Sequence, residues 1–300
     1  METKILDGKK LRDVIMGKIK TEVALLPFKP RFCDVLVGSD PASVQYVQMK
    51  ARMAEAVGIF FHRADFPESI TTDELVEEIK VLNKVENMCG IIVQLPLPEH
   101  IDKQKVFDSI DPSLDVDSLG KIASDKFYSG NTSIGFPTAL SCMALLDSVN
   151  IDLKGKNIVV LGQGMLVGKP VTALLKFRGL SPTAVDRATE NKETLIKQAD
   201  IVISGIGKGK HVTGGMVKEG AIIIDAGTSE SLGHSPTGET KGGIVGDVDS
   251  GSVKGVASFL SPVPGGVGPV TVAMLLNNVL TVAKSRASVD SARHDFAKSK

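Results

Sequence analysis

Apolar positions Leu11, Val14, Ile15, Ile19 and Val23 recur at spacings of three and four between Gly8 and Leu26. That is the period of a helix with one buried face. The run Phe32 to Val37 then predicts a buried strand, broken by Gly38-Ser39-Asp40-Pro41. Helical spacing returns from Ser43 to Ala56, stops at Gly58, and gives way to a second strand over Ile59 to His62. Thr72 followed by Glu74 to Asn83 predicts another helix, and Gly90 to Leu95 a short apolar strand running into two prolines. This alternation predicts an α/β layer with a mostly parallel sheet. In such sheets ligands collect at the carboxyl ends of strands, and Gln94 sits at one.

From Asp111 to Pro137 the chain is polar with little periodicity, too long for a plain connector, and reads as a functional loop or irregular packing. A helix over Thr138 to Val149 and a linker over Asn150 to Lys156 lead to strands at Asn157 to Leu161, Pro182 to Val185, Ile201 to Ser204 and Ala221 to Asp225. Helices over Val167 to Phe177 and Lys192 to Gln198 alternate with them, the order of a mononucleotide-binding half-unit. Ser229 through Thr240 reads as a mobile loop, Val270 to Ala283 as a long apolar helix, and the charged tail from Ser285 as a frayed end. The predicted fold class is α/β with two α/β domains. One spans 1–149 joined by the helix 270–285, and a Rossmann-type dinucleotide-binding domain spans 150–269.

Composition narrows the functional classes. With 300 residues and 42% hydrophobic content, two domains are the default. Lys plus Arg equals Asp plus Glu at 35 each, so no net field draws nucleic acid or an anionic membrane. Cys33, Cys89 and Cys142 are too few and scattered for a disulfide framework, and no Cys or His cluster has metal-ligand spacing. The charged N-terminus does not read as a signal peptide, and no apolar stretch reaches about 20 residues. The expectation is a cytoplasmic protein with no metal, no nucleic-acid partner and no membrane.

The sharpest local signal is Gly162-Gln163-Gly164-Met165-Leu166-Val167-Gly168, lying between a predicted strand and a predicted helix. A pyrophosphate turn needs glycines where φ is positive or the ligand approaches the backbone, and the helix start supplies N–H groups. Asp186, past the second strand, is placed to accept bonds from a ribose, and Gly205-Ile206-Gly207 follows the third strand. Elsewhere the chemistry is open. Tyr46 and Lys50 share a helix face, as a surface pair or a catalytic one. Gln94 is either a cap for loose backbone groups or a site residue, and Asp115 and Asp117 read equally as turn formers. The five histidines sit in scattered contexts.

Several runs together resemble one family, the bifunctional methylenetetrahydrofolate dehydrogenase/cyclohydrolase enzymes of folate one-carbon metabolism. They are DPASVQYVQMK (Asp40 to Lys50), GIIVQLPLP (Gly90 to Pro98), DVDS (Asp115 to Ser118), GQGMLVGKP (Gly162 to Pro170) and SPVPGGVGPVT (Ser261 to Thr271). With GAIIIDAG and VGDVD they cover nearly the whole chain in order. The resemblance implies oxidation of 5,10-methylenetetrahydrofolate with NADP, or with NAD, and hydrolysis of the methenyl product to 10-formyltetrahydrofolate. It implies a homodimer, and a folate cleft facing the nicotinamide.

It also assigns roles. Lys50, Gln94 and Asp117 become catalytic: Lys50 the acid/base group of the hydrolysis, Gln94 its hydrogen-bonding partner, Asp117 the pterin anchor. Tyr46, Ser43, Leu95, Pro96, Pro264, Gly265 and Gly266 become substrate-binding. Gly162, Gln163, Gly164, Met165, Leu166, Val167, Gly168, Asp186, Arg187, Gly205, Gly207, Thr228, Gly268 and Thr271 become cofactor-binding. A lysine held by a neutral glutamine suits the proton transfers, since a carboxylate partner would keep it more firmly protonated.

The chain departs from the family pattern at Leu114, usually lysine, at Ser118, usually glycine, and at Ala139, usually proline. A dehydrogenase lacking effective cyclohydrolase activity is therefore the alternative, with a non-catalytic dinucleotide-binding regulator behind it. Gln163 and Gly164 replace an arginine and serine, and Asp186-Arg187 a histidine and serine. An aspartate repels a 2′-phosphate and Arg187 attracts one, so NADP is favoured narrowly over NAD.

Overall fold

The computed structural model describes residues 2–231 and 243–298. Two compact units emerge, one of Met1–Asp13 with Thr138–Thr271, the other of Val14–Pro137 with Val272–Lys300. Along the chain, β1 (Lys4–Ile5) and α1 (Gly8–Val23) precede β2 (Arg31–Val37), α2 (Pro41–Ala56), β3 (Phe60–Phe66), α3 (Thr72–Leu82) and β4 (Met88–Val93). Next come α4 (Lys103–Asp108), α5 (Lys121–Tyr128) and α6 (Pro137–Ser148).

In the second unit β2, β3 and β4 form a parallel sheet in the order β3-β2-β4. Helices α2 and α3 start where side chains can cap them. Asp40 accepts from the Ser43 amide with Pro41 in the first turn, and Thr71 with Glu74 closes a reciprocal capping box. Helix α5 corrects the expectation of irregular chain over 111–137: its eight residues are too few for periodicity to register, yet Ala123 and Phe127 bury one face. Asn278 Nδ2 ties this region down by donating to the carbonyls of Val116 and Gly135.

The first unit continues with β5 (Ile158–Leu161), α7 (Gly168–Phe177), β6 (Thr183–Val185), α8 (Lys192–Gln198), β7 (Ile201–Ser204) and β8 (Ile222–Asp225). Then follow β9 (Ser229–Ser231), β10 (Gly243–Val245), α9 (Ser250–Val253), β11 (Phe259–Ser261) and α10 (Val267–Lys298). Six strands form an all-parallel sheet ordered β1-β11-β8-β7-β5-β6. Residues Val159, Leu161, Val202, Ile223 and Leu260 carry its apolar core. Strand β6 lies on one side of β5 and β7 on the other, so the strand order reverses between β5 and β7, where a doubly wound sheet opens a crevice.

Three expectations change. Ser229–Ser231 pairs antiparallel with Gly243–Val245, so the predicted loop begins as a strand, and its remainder falls outside the described residues. Helix α10 runs on to Lys298 where fraying was expected, because no proline or glycine follows Pro269 to stop it. Its Val267–Val289 stretch is also long and apolar enough, by length and composition, to cross a membrane, correcting the reading that no stretch is. Most of that stretch is buried inside the protein, as in a core helix.

Candidate active site

Lys50 points inward from α2, and its side chain is only 2% exposed. Its Nζ lies 2.7 Å from Gln94 Oε1, to which it donates, and 4.9 Å from the centroid of the Tyr46 ring. Gln94 reaches it from just past the end of β4, turning its amide so that Nε2 donates to the Leu95 carbonyl. The expected Tyr46, Lys50 and Gln94 are thus brought together. Tyr46 remains 37% exposed, an aromatic face open beside a buried ammonium.

A fourth group was missed. Asp34, in the middle of β2, is fully buried and places Oδ2 2.6 Å from Lys50 Nζ. Beyond that ion pair, neither oxygen accepts a well-directed hydrogen bond among the described residues. Burial raises the Asp34 carboxyl above the ordinary carboxylate range, and Lys50 pulls it back. The picture of Lys50 held by a neutral glutamine alone is therefore corrected: a carboxylate shares it. The signal lay in the run Phe32 to Val37, where one acid interrupts an apolar strand, a residue type almost never fully buried unpaired.

Asp117 is half-buried on the loop after Leu114. Burial pushes its carboxyl up to about 7, against the pull of Lys50 and with a push from Asp115 and Asp34. Burial, followed by the charges of Asp117 and Asp34, raises the Tyr46 hydroxyl to about 12. Asp115 serves the turn itself, accepting from the Gly120 amide at 2.7 Å and the Asp117 amide at 3.3 Å. Ser43 is buried in the first turn of α2, Leu95 half-buried and Pro96 exposed after a cis peptide. Ser118 holds a φ of +59°, the left-handed region that favours glycine, while Leu114 is buried as core.

In the first unit the glycine turn crosses the strand-order reversal. Gly162 has φ +79°, and a Cβ there would come within 2.5 Å of the Gly205 carbonyl on the loop after β7. A Cβ on Gly168 would overlap the Gly162 carbonyl, whereas one on Gly164 would meet open space. The outer glycines are required by packing and the middle one leaves room. Met165 and Leu166 are exposed, and no side chain caps the start of α7 at Val167. Gln163 Nε2 folds back onto the carbonyls of Val160 and Gly162.

A cavity of about 320 Å³ opens here, lined by Gly162, Gly164, Asp186, Arg187, Lys192 and His211. Its open glycine and uncapped helix start fit a dinucleotide's pyrophosphate. Asp186 Oδ1 accepts from the amides of Ala188 and Thr189 and from the Thr189 hydroxyl, bonds that hold its carboxyl below the usual range. The loops around the cavity are fixed by two buried carboxylates that the sequence reading passed over. Asp247 accepts from Ser204 Oγ and the amides of Ile206 and Lys208, and Asp225 from the amides of Gly227, Asp247 and Val248. Gly207 has φ +73° and Thr228 is exposed. In the same unit, Gly265 accepts from the Gly8 amide at 2.9 Å beside exposed Pro264 and buried Gly266. Gly268 is exposed, and the Thr271 hydroxyl donates to Val267 of its own helix. Among the described residues no three His, Cys, Asp or Glu side chains gather to hold a metal. His234 lies outside the described residues.

The parallel sheet, the glycine turn at its reversal point and the cavity beside it define a dinucleotide-binding protein joined to a second α/β unit with a buried lysine site. Residues 137–287 match the tetrahydrofolate dehydrogenase/cyclohydrolase NAD(P)-binding domain, and residues 6–117 match the catalytic domain of the same name. The chain belongs to the tetrahydrofolate dehydrogenase/cyclohydrolase family. It is 42% identical over 286 residues to the bifunctional protein FolD of Nautilia profundicola, covering 94% of this chain and 98% of that one. Among solved structures, the bifunctional FolD methylenetetrahydrofolate dehydrogenase/cyclohydrolase of Campylobacter jejuni is 36% identical with a TM-score of 0.86, covering 95% and 99% of the two chains. The Trypanosoma brucei enzyme, in complex with NADP and an inhibitor, is 34% identical with a TM-score of 0.88 at the same coverage.

Proposed function

We propose that this protein oxidises 5,10-methylenetetrahydrofolate to the methenyl form and hydrolyses that product to 10-formyltetrahydrofolate. The observation that carries the reading is the buried Lys50 bonded to Gln94 beside Tyr46, inside the segment matching the family's catalytic domain. A dinucleotide held in the cavity beside Gly162 and Gly164 would supply the hydride acceptor for the oxidation. Tyr46 offers a ring face for a flat pterin, and Asp117, with a carboxyl at about 7, offers either a proton or a lone pair to its edge. Lys50 and Gln94 serve the proton transfers that open the hydrated methenyl group. Leu114 and Ser118 do not favour the dehydrogenase-only alternative, since the Lys50–Gln94 pair forms with both in place.

NADP is the dinucleotide of this reading. Asp186 uses Oδ1 for its own turn, while Arg187 and Lys192 line the same cavity and suit a 2′-phosphate. A homodimer and a cytoplasmic location complete it. Three free, buried cysteines support the location. The test is to incubate pure protein with methylenetetrahydrofolate and each dinucleotide, following reduced cofactor and methenyl absorbance, and separately to supply methenyltetrahydrofolate to wild type and K50A. Turnover with NADP and hydrolysis lost in K50A are expected. No turnover with either dinucleotide refutes the reading.

A further inference from the structure

We propose that Asp34 is a positioning residue for the hydrolytic step, holding Lys50 as an ammonium that lends its one free N–H to the reacting ring. The inference rests on the dehydrogenase/cyclohydrolase reading and deepens it. An ammonium has three donors and no acceptor. One is drawn toward Asp34 Oδ2, an ion-pair contact at 2.6 Å that is not a well-directed hydrogen bond, and one goes to Gln94 Oε1, 2.7 Å away. The third is left on the side where the Tyr46 ring lies 4.9 Å off and still partly open.

Every neighbour asks for a cation. Gln94 is locked with its oxygen toward Lys50 because its Nε2 is committed to the Leu95 carbonyl, and the Tyr46 ring face favours positive charge. Among the described residues no group donates a hydrogen bond to Nζ, as a neutral amine's lone pair would require.

The other titratable groups around the pair do not supply this hold. On β2, burial and then Asp34 raise the Cys33 thiol, leaving it neutral. On α2, Tyr46 is also raised, to about 12. On β3, Arg63 and Asp65 act on Asp34 with opposite signs and pair with each other at 2.6 Å. Asp117, on the loop after Leu114, acts on Lys50 through charge, whereas Asp34 is the carboxylate that forms an ion pair with it. Asp34 is the anion in direct contact.

The step balances with Lys50 as a shuttle. Water oxygen bonds to the methenyl carbon, the C=N electron pair moves onto nitrogen, and one water proton leaves to solvent. The bond from that carbon to the ring nitrogen then breaks as the nitrogen takes a proton from Lys50. The adduct's hydroxyl proton returns to Lys50 as the formyl C=O forms. One proton is released overall, and the ammonium is restored.

The test compares wild type and D34N, using methenyltetrahydrofolate hydrolysis against pH and the Cε resonance of isotope-labelled lysine, with Lys50 assigned by its loss in K50R. In wild type the Lys50 resonance stays fixed across the working pH range. In D34N the alkaline limb of the hydrolysis profile and the resonance both move down by about 1–3 pH units, while D34E keeps the wild-type limb. If D34N does not fold, the D34E profile and the wild-type resonance still stand as tests that can overturn the role. A Lys50 that loses its proton within the working range, or an alkaline limb unmoved in folded D34N, overturns the role of Asp34. Absence of hydrolysis by wild type overturns the parent reading instead.

Discussion

Replacing Lys50 by methionine keeps most of the volume in α2 and strands Asp34. The two charges sit 2.6 Å apart with side-chain exposures of 2% and 0%. At an effective dielectric of about 20 their attraction is about 6 kcal/mol. Burying both ions offsets much of that, so the pair's net contribution is small, but removing one partner leaves the other uncompensated at a cost of about 3–5 kcal/mol. The loss must depend on pH. Asp34 already has a folded-state pKa raised by burial, and without Lys50 it rises further. A carboxyl raised in the folded state contributes stability fully below its unfolded value of about 3.9, and that stability is lost as pH rises through the folded value. K50M is therefore expected to lose most near pH 8 and to recover toward pH 5, measured as urea unfolding midpoints at each pH. K50M combined with D34V, which replaces the pair by apolar groups, should regain most of the loss. A K50M penalty below about 1 kcal/mol, equal at both pH values, refutes the buried-pair argument.

Other substitutions test the remaining features. Gly168→Ala puts a methyl group into the Gly162 carbonyl, and should weaken dinucleotide binding at least about tenfold, or about 1.4 kcal/mol, in a fluorescence titration with the reduced cofactor; unchanged affinity contradicts the turn's role. Arg187→Ala should raise KM for NADP about tenfold or more and leave KM for NAD within about twofold, since a charge-assisted bond to phosphate is lost only in the first case. Ser118→Gly relieves a left-handed backbone costing about 1–2 kcal/mol and adds about 0.4–1 kcal/mol of unfolded-state entropy. A small net gain is expected, read as a higher melting temperature, and a clear loss shows that the buried Ser118 side chain matters more than its φ.

The alternation of strands and helices was legible because each buried element carried its own period, as α3 does with Leu75, Val76, Ile79 and Leu82 inward. The glycine turn was legible because steric demand falls on glycine alone. Gly162 and Gly168 prove to be such positions, though Gly164 faces open space. What stayed hidden depended on pairing across the chain. Nothing local tells that Asp34 meets Lys50, or that Asp247 collects donors from Ser204, Ile206 and Lys208, because both are tertiary meetings between separate segments. The two-residue strand β1 and the three-residue β11 were missed for the opposite reason: they are too short to show any period.

That β1 edge bears on how the chain is made. Thr3 and Leu6 bond to Ala257 and Leu260, contacts between residues 254 positions apart. During synthesis the first residues leave the ribosome long before their partners do, and closing a loop of that length costs about 5 kcal/mol of chain entropy beyond a fixed constant. The six-stranded sheet therefore acquires its β1 edge late, because Thr3 and Leu6 are translated long before Ala257 and Leu260. A bulky group attached close before Thr3 would burden that closing step.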